Sequence, residues 1–65
     1  MNQDDKILGV NELQENGVYF SKNNELIKIK KINISEDVMD ILNISEQINY
    51  YGLKASKHNL VRRVK

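Results

Sequence analysis

Leu26-Ile27-Lys28-Ile29-Lys30-Lys31-Ile32-Asn33-Ile34 is the stretch whose reading decides the fold. Ile27 and Ile29 alternate with Lys28 and Lys30, the two-residue period of a strand with one apolar face. Ile32 and Ile34 also alternate with polar neighbours, but on the opposite parity. The two halves share one buried face only if an extra residue enters near Lys30-Lys31. A β-bulge does this and bends the strand. A helix through Leu26, Ile29 and Ile32 is the competing reading. Four β-branched isoleucines in nine positions argue against it.

Working outward, Gly17-Val18-Tyr19-Phe20-Ser21 reads as a short strand entered through the turn signal Asn16-Gly17. Lys22-Asn23-Asn24-Glu25 joins it to the central stretch, with Asn23-Asn24 as the hairpin apex, because asparagine tolerates the left-handed backbone of tight turns. Residues 35–46 admit two readings. Ser35 followed by Glu36 and Asp37 suits a helix start, with Val38, Ile41 and Leu42 as its stripe. Alternatively Ser35-Glu36-Asp37 is a turn and residues 38–44 form a third strand. The strand is preferred, because a second polar turn (Ser45-Glu46-Gln47) and another β-prone run (Ile48-Asn49-Tyr50-Tyr51) follow at short, regular spacing. Gly52 breaks or bends that fourth strand, which Leu53-Lys54-Ala55-Ser56 would continue. Lys57-His58-Asn59 reads as a connection, and Leu60, Val61 and Val64 supply a closing strand or one helical turn. Ile7, Leu8, Val10 and Leu13 supply a leading strand or turn that caps the core. The expected fold class is therefore all-β, with about five short strands; the alternative is α+β, a hairpin with one or two helices.

The chain of 65 residues is expected to form one domain, with residues 1–6 a flexible acidic N-terminus. A domain near this size buries only about 60% of the surface its unfolded chain exposes. With no cysteine and a single histidine, neither a disulfide nor a tetrahedral zinc site can reinforce it. The polar, acidic start is unlike a secretory signal, and the apolar runs are too short to cross a bilayer. A cytoplasmic location with no membrane partner is the expectation.

The net charge of +1 conceals segregation. Asp4, Asp5, Glu12 and Glu15 precede a basic segment of Lys22, Lys28, Lys30 and Lys31. Glu36, Asp37, Asp40 and Glu46 follow, and beyond them every charge is positive: Lys54, Lys57, Arg62, Arg63 and Lys65. Such alternation solubilises a small fold, or it gathers the basic segments into a patch for an anionic partner. Total charge near zero disfavours tight, sequence-blind nucleic-acid binding.

Catalytic constellations are missing. His58 sits in a polar connection without a carboxylate beside it in sequence and reads as a solvated surface residue. Ser21, Ser35, Ser45 and Ser56 lack the setting of an activated nucleophile. Gly9, Gly17 and Gly52 are too widely spaced to cradle a phosphate. Glu36, Asp37 and Asp40 lack the spacing of a calcium loop. No enzyme, cofactor or metal site is expected. Binding residues are expected at the bend (Lys28, Lys30, Lys31), around Tyr50, Tyr51 and Lys54, and at Arg62 and Arg63. Adjacent tyrosines in a strand point to opposite faces, so one is expected inside and the other exposed, able to anchor a protein or stack a base.

Gly17-Val18-Tyr19-Phe20, then Leu26-Ile27-Lys28-Ile29-Lys30-Lys31-Ile32, then Leu60-Val61-Arg62-Arg63-Val64-Lys65 resembles the layout of small SH3-like barrels, in particular uncharacterised phage-encoded ones. The abundance of isoleucine, asparagine and lysine suits such AT-rich sources. The resemblance implies a binding role, since SH3-like barrels mostly bind peptides, proteins or nucleic acids. The resemblance does not choose the ligand; together with small size, absent chemistry and segregated charge it makes another protein or a second copy of the chain the expected partner. The alternative is a nucleic-acid-binding regulator using the lysine and arginine residues.

Overall fold

A computed structural model describes residues 6–64; the expected flexible terminus thus lies, except for Lys6, outside the described residues, as does Lys65. Five strands form one antiparallel sheet: β1 (Val18–Ser21), β2 (Leu26–Asn33), β3 (Val38–Asn43), β4 (Ile48–Leu53) and β5 (Leu60–Arg63). Their order across the sheet is β4-β3-β2-β1-β5, so the fifth strand returns beside the first. The only helical pieces among the described residues are two 3-10 turns, Val10–Glu12 and Ala55–Lys57. The fold is all-β, and the helix considered for residues 35–46 is a turn followed by β3. No helix among the described residues is long and apolar enough to cross a membrane.

The bend in β2 falls where its parity changes. Ile29 pairs with Ile41 and Lys31 with Asp40, which leaves Lys30 as the extra residue of a bulge. Ile27 and Ile29 are buried, and Ile32 packs against the same core across the bulge. Ile34 does not: it lies beyond β2 in the following turn and is exposed. Two further register shifts bend the sheet. Val61 is the extra residue of β5 opposite β1, and Tyr51-Gly52 span the shift in β4 opposite Asp40. Gly52 has φ +67° and donates its N–H to Asp40 Oδ1 at 2.9 Å. A Cβ there would meet nothing, so glycine serves the backbone angle rather than the space.

The turns use the left-handed region at the residues that tolerate it. Asn16, Asn24 and Asp37 have φ of 67°, 66° and 56°. Gln47, at φ 60°, is among the described residues the one such turn residue without a short polar side chain. Buried Ser21 sets the first hairpin by accepting from the Asn23 and Glu25 amides, each at 3.1 Å.

The core is Leu13, Tyr19, Ile27, Ile29, Met39, Ile41, Ala55 and Leu60. The alternation expected for residues 38–44 holds, with Met39, Ile41 and Asn43 inward. Residues 6–17 cover the inner face of the sheet. Leu13 is buried, and Leu8 and Val10 pack beside it. Tyr19 pins this segment: its hydroxyl accepts from the Gln14 amide at 2.9 Å and donates to the Glu12 carbonyl at 3.2 Å.

The sheet stays open rather than closing into a barrel, because β4 and β5 do not pair with each other. The strand does not continue through residues 53–56. It stops at Leu53, and the 3-10 turn Ala55–Lys57 carries the chain across to β5. Asp37 holds that turn in place. Its carboxylate accepts from the Ser56 amide at 2.7 Å and from the Ser56 hydroxyl at 2.8 Å. These bonds lower the pKa of Asp37, with Lys54 and Lys57 adding to the effect.

Candidate functional site

The opening between the two edges of the sheet leaves a cleft of about 410 Å³. Its floor is apolar: Ile27 of β2, Met39 and Ile41 of β3, Leu53 at the end of β4 and Leu60 of β5. Lys54, Lys57, His58 and Asn59 form the polar side. The volume falls in the range of about 300–1,000 Å³ typical of ligand pockets. The floor residues of β2, β3 and β5 are also core positions, and the bulge at Tyr51-Gly52 brings Leu53 of β4 to the same side. Ile48 and Tyr50 of β4 lie on the same side of the sheet, since Tyr50 pairs with Ile41 and Ile48 with Asn43.

His58 is not the solvated residue expected from its polar neighbours. It is half-buried, and its Nδ1 accepts the Leu60 amide at 2.9 Å. A hydrogen bond to the Leu8 backbone engages it as well. Leu8 in turn donates its amide to the Leu60 carbonyl at 2.9 Å, so His58 braces the N-terminal segment against β5. Burial lowers its pKa, and the Leu8 bond opposes that only in part. The folded state therefore favours neutral imidazole, and the unfolded chain binds more protons between the two pKa values. Stability from this residue is complete above about pH 6.5 and declines as pH falls from there through the lower folded value. We expect thermal melts of the wild-type chain to shift downward between about pH 7.5 and 5.5. A His58→Gln variant should lose most of that slope; an unchanged slope would assign it to other groups.

The residues expected to bind are not brought into one patch. Lys54 stands at the cleft. Lys28 lies on the opposite, outer face, since it pairs with Val18 and Leu42. Lys30, lifted by the bulge, reaches across β3 to β4. Its Nζ donates to Asn49 Oδ1 at 2.9 Å and sits 5.5 Å from the centre of the Tyr51 ring. Lys31 lines a separate, polar hollow with Glu15, Glu36 and Asp40, where acidic groups outnumber it. Arg62 lies over the Phe20 ring at 4.5 Å on the outer face, and Arg63 donates to Gln14 Oε1 at 2.7 Å. Tyr50 and Tyr51 point to opposite sides, but neither is buried, at 37% and 67% exposure. β4 is an edge strand, and the segment that covers the inner face over β1 and β2 does not shield its free side. The Tyr50 hydroxyl donates to Glu46 Oε1 at 3.2 Å, which raises its pKa.

Lys57, His58 and the apolar floor were not among the expected site residues. Ile27, Met39 and Leu60 are far apart in sequence, and each reads there as an ordinary core position. Only Lys57, in the run of positive charge after Glu46, carried a signal. Among the described residues no group of three histidines or carboxylates is placed to hold a metal ion. No family model, curated protein or solved structure matches the chain.

Proposed function

We propose that this chain is a non-enzymatic binding module, an accessory protein of the phage or mobile-element kind, that receives a segment of another protein in the cleft between β4 and β5. The observation that carries this reading is an apolar floor bordered by like charges: Lys54 and Lys57 stand at its side, none of the described lining residues is acidic, and Asp37, whose pKa both lysines help to lower, lies near them. With His58 neutral, two lysines against one carboxylate leave the rim positive. The fitting partner is a bulky apolar side chain flanked by aspartate or glutamate. The apolar group supplies affinity by leaving water, and the carboxylates supply orientation and rate. A strand order in which the last strand lies beside the first, and the bend in β2, support the likeness to SH3-like barrels.

The nucleic-acid reading has less support. Lys30, Arg62 and Arg63 are occupied by Tyr51, Phe20 and Gln14, and Lys31 sits among carboxylates.

Selection of the full chain against a displayed random-peptide library tests the proposal. Winning peptides should share an apolar anchor with acidic neighbours. Their affinity should drop by about tenfold or more in Lys54→Glu/Lys57→Glu, and again in Leu53→Trp, which fills the cleft. Arg62→Glu should leave affinity nearly unchanged. No enrichment, or winners indifferent to the cleft variants, would overturn it.

A further inference from the structure

Among the described residues, the free edge of β4 is the second feature without a partner. An edge strand presents alternate N–H and C=O groups to solvent, and soluble proteins usually guard such edges with lysine, proline or cover. The β5 edge is guarded: Leu60 already takes the Leu8 amide, and Arg62 and Arg63 charge it. The β4 edge is not. Ile48-Asn49-Tyr50-Tyr51 carries neither charge nor proline, and its one irregularity is the bulge at Tyr51-Gly52. Of the five large apolar side chains exposed among the described residues, three stand on this strand: Ile48, Tyr50 and Tyr51.

From this edge we propose that β4 pairs antiparallel with β4 of a second copy of this chain, joining two sheets into one. The occupant is chosen by charge. Glu46 flanks the strand on its N-terminal side and Lys54 on its C-terminal side. Antiparallel pairing about a two-fold axis at Tyr50 sets Asn49 of each copy opposite Tyr51 of the other and Glu46 opposite Lys54, so one favourable juxtaposition occurs twice. The residues at the centre of the strand carry no charge of their own, and the one ammonium that reaches them among the described residues, Lys30, lies on the outer face against Asn49 and Tyr51. Paired residues share a face, so Ile48 and Tyr50 of both copies lie on the core side and Asn49 and Tyr51 on the outer side. Because only one edge is open in this way among the described residues, the contact is isologous and closes at the dimer rather than growing into a fibre. This inference rests on the strand edge and not on the peptide reading of the cleft, with which it shares Lys54.

Sedimentation velocity of the full chain over a concentration series tests it. Concentration-dependent dimer is expected. Asn49→Lys/Tyr51→Lys, which sets like charges along the outer side of the joint and touches no core residue, should weaken it by about tenfold or more. Glu46→Lys and Lys54→Glu should each weaken it, and the double exchange should restore it. That rescue separates the dimer from the cleft, since Lys54→Glu still harms peptide binding in the double variant. Circular dichroism melts establish that each variant is folded. A strict monomer at the highest concentration overturns the inference. So does a dimer indifferent to Asn49→Lys/Tyr51→Lys, or charge exchange without rescue.

Discussion

Tyr19→Ala is expected to abolish the cooperative unfolding transition of this domain. Tyr19 is fully buried, at 0% exposure, and joins the sheet to the segment that covers it. Truncating a buried aromatic ring costs about 3–5 kcal/mol. A chain of 65 residues has roughly 3–10 kcal/mol to lose, at about 0.05–0.15 kcal/mol per residue. Tyr19→Phe separates the ring from the hydroxyl. It keeps the packing and leaves the Gln14 amide and Glu12 carbonyl without their shared partner, at a cost of about 1 kcal/mol. Urea unfolding followed by circular dichroism measures both. A near-native midpoint for Tyr19→Ala would show that residues 6–17 are not integral to the fold.

The second large effect is expected one pair of residues away. Gly17 is buried, and a Cβ added to it would lie 2.8 Å from Tyr19 Cε1, 2.9 Å from the Tyr19 hydroxyl oxygen and 3.1 Å from the Gln14 carbonyl oxygen. The ring has no room to retreat, because its far end is hydrogen-bonded and its faces are packed. Gly17→Ala should therefore cost about 1–3 kcal/mol, the usual range for overpacking. The shift must also strain the Asn16 and Gly17 bonds to Ile29, at 2.6 and 2.9 Å, which extend the β1–β2 hairpin. The effects of Gly17→Ala and Tyr19→Ala should be non-additive in a double-variant cycle, since the smaller side chain removes the clash. Additive losses would mean that Gly17 matters for some other contact.

Local chemistry made most of the fold legible in the sequence. The parity change between Ile29 and Ile32 located the bulge at Lys30-Lys31, and the asparagines, Asp37 and Gly52 marked backbone reversals that the φ angles bear out. Those signals involve neighbours in the chain. The residues that escaped reading depend on distant ones. Ser56 and Asp37 are 19 positions apart, and their bonds turn what resembled a continued strand into a 3-10 turn. His58 looked solvated because Lys57 and Asn59 are polar, while the Leu8 backbone that engages it comes from outside the local window. The two tyrosines alternate faces as a strand demands, but sequence does not say that β4 lies at an uncovered edge. The candidate site was legible only in its cations. Lys54 reads as a binding residue from charge, whereas the apolar floor beneath it is assembled from β2, β3, β4 and β5 and looks like core in every one.

The two proposed surfaces divide the work of a small chain. Pairing at β4 would place two copies of the cleft on one assembly, so a partner with two acidic, apolar-anchored segments would gain avidity from the joined sheet. Both surfaces share Lys54, at the end of β4 and the start of the cleft wall.

The most direct measurement is a ¹⁵N–¹H correlation spectrum of the full chain, titrated with an acidic peptide carrying one bulky apolar residue and, separately, with a single-stranded oligonucleotide. The cleft account predicts that the peptide shifts the amides of Leu53, Lys54, Lys57, His58 and Leu60 at low and moderate salt, while the oligonucleotide leaves them in place. It is contradicted if the peptide moves none of these resonances, or if the oligonucleotide binds and shifts Lys28, Lys31, Arg62 and Arg63 instead.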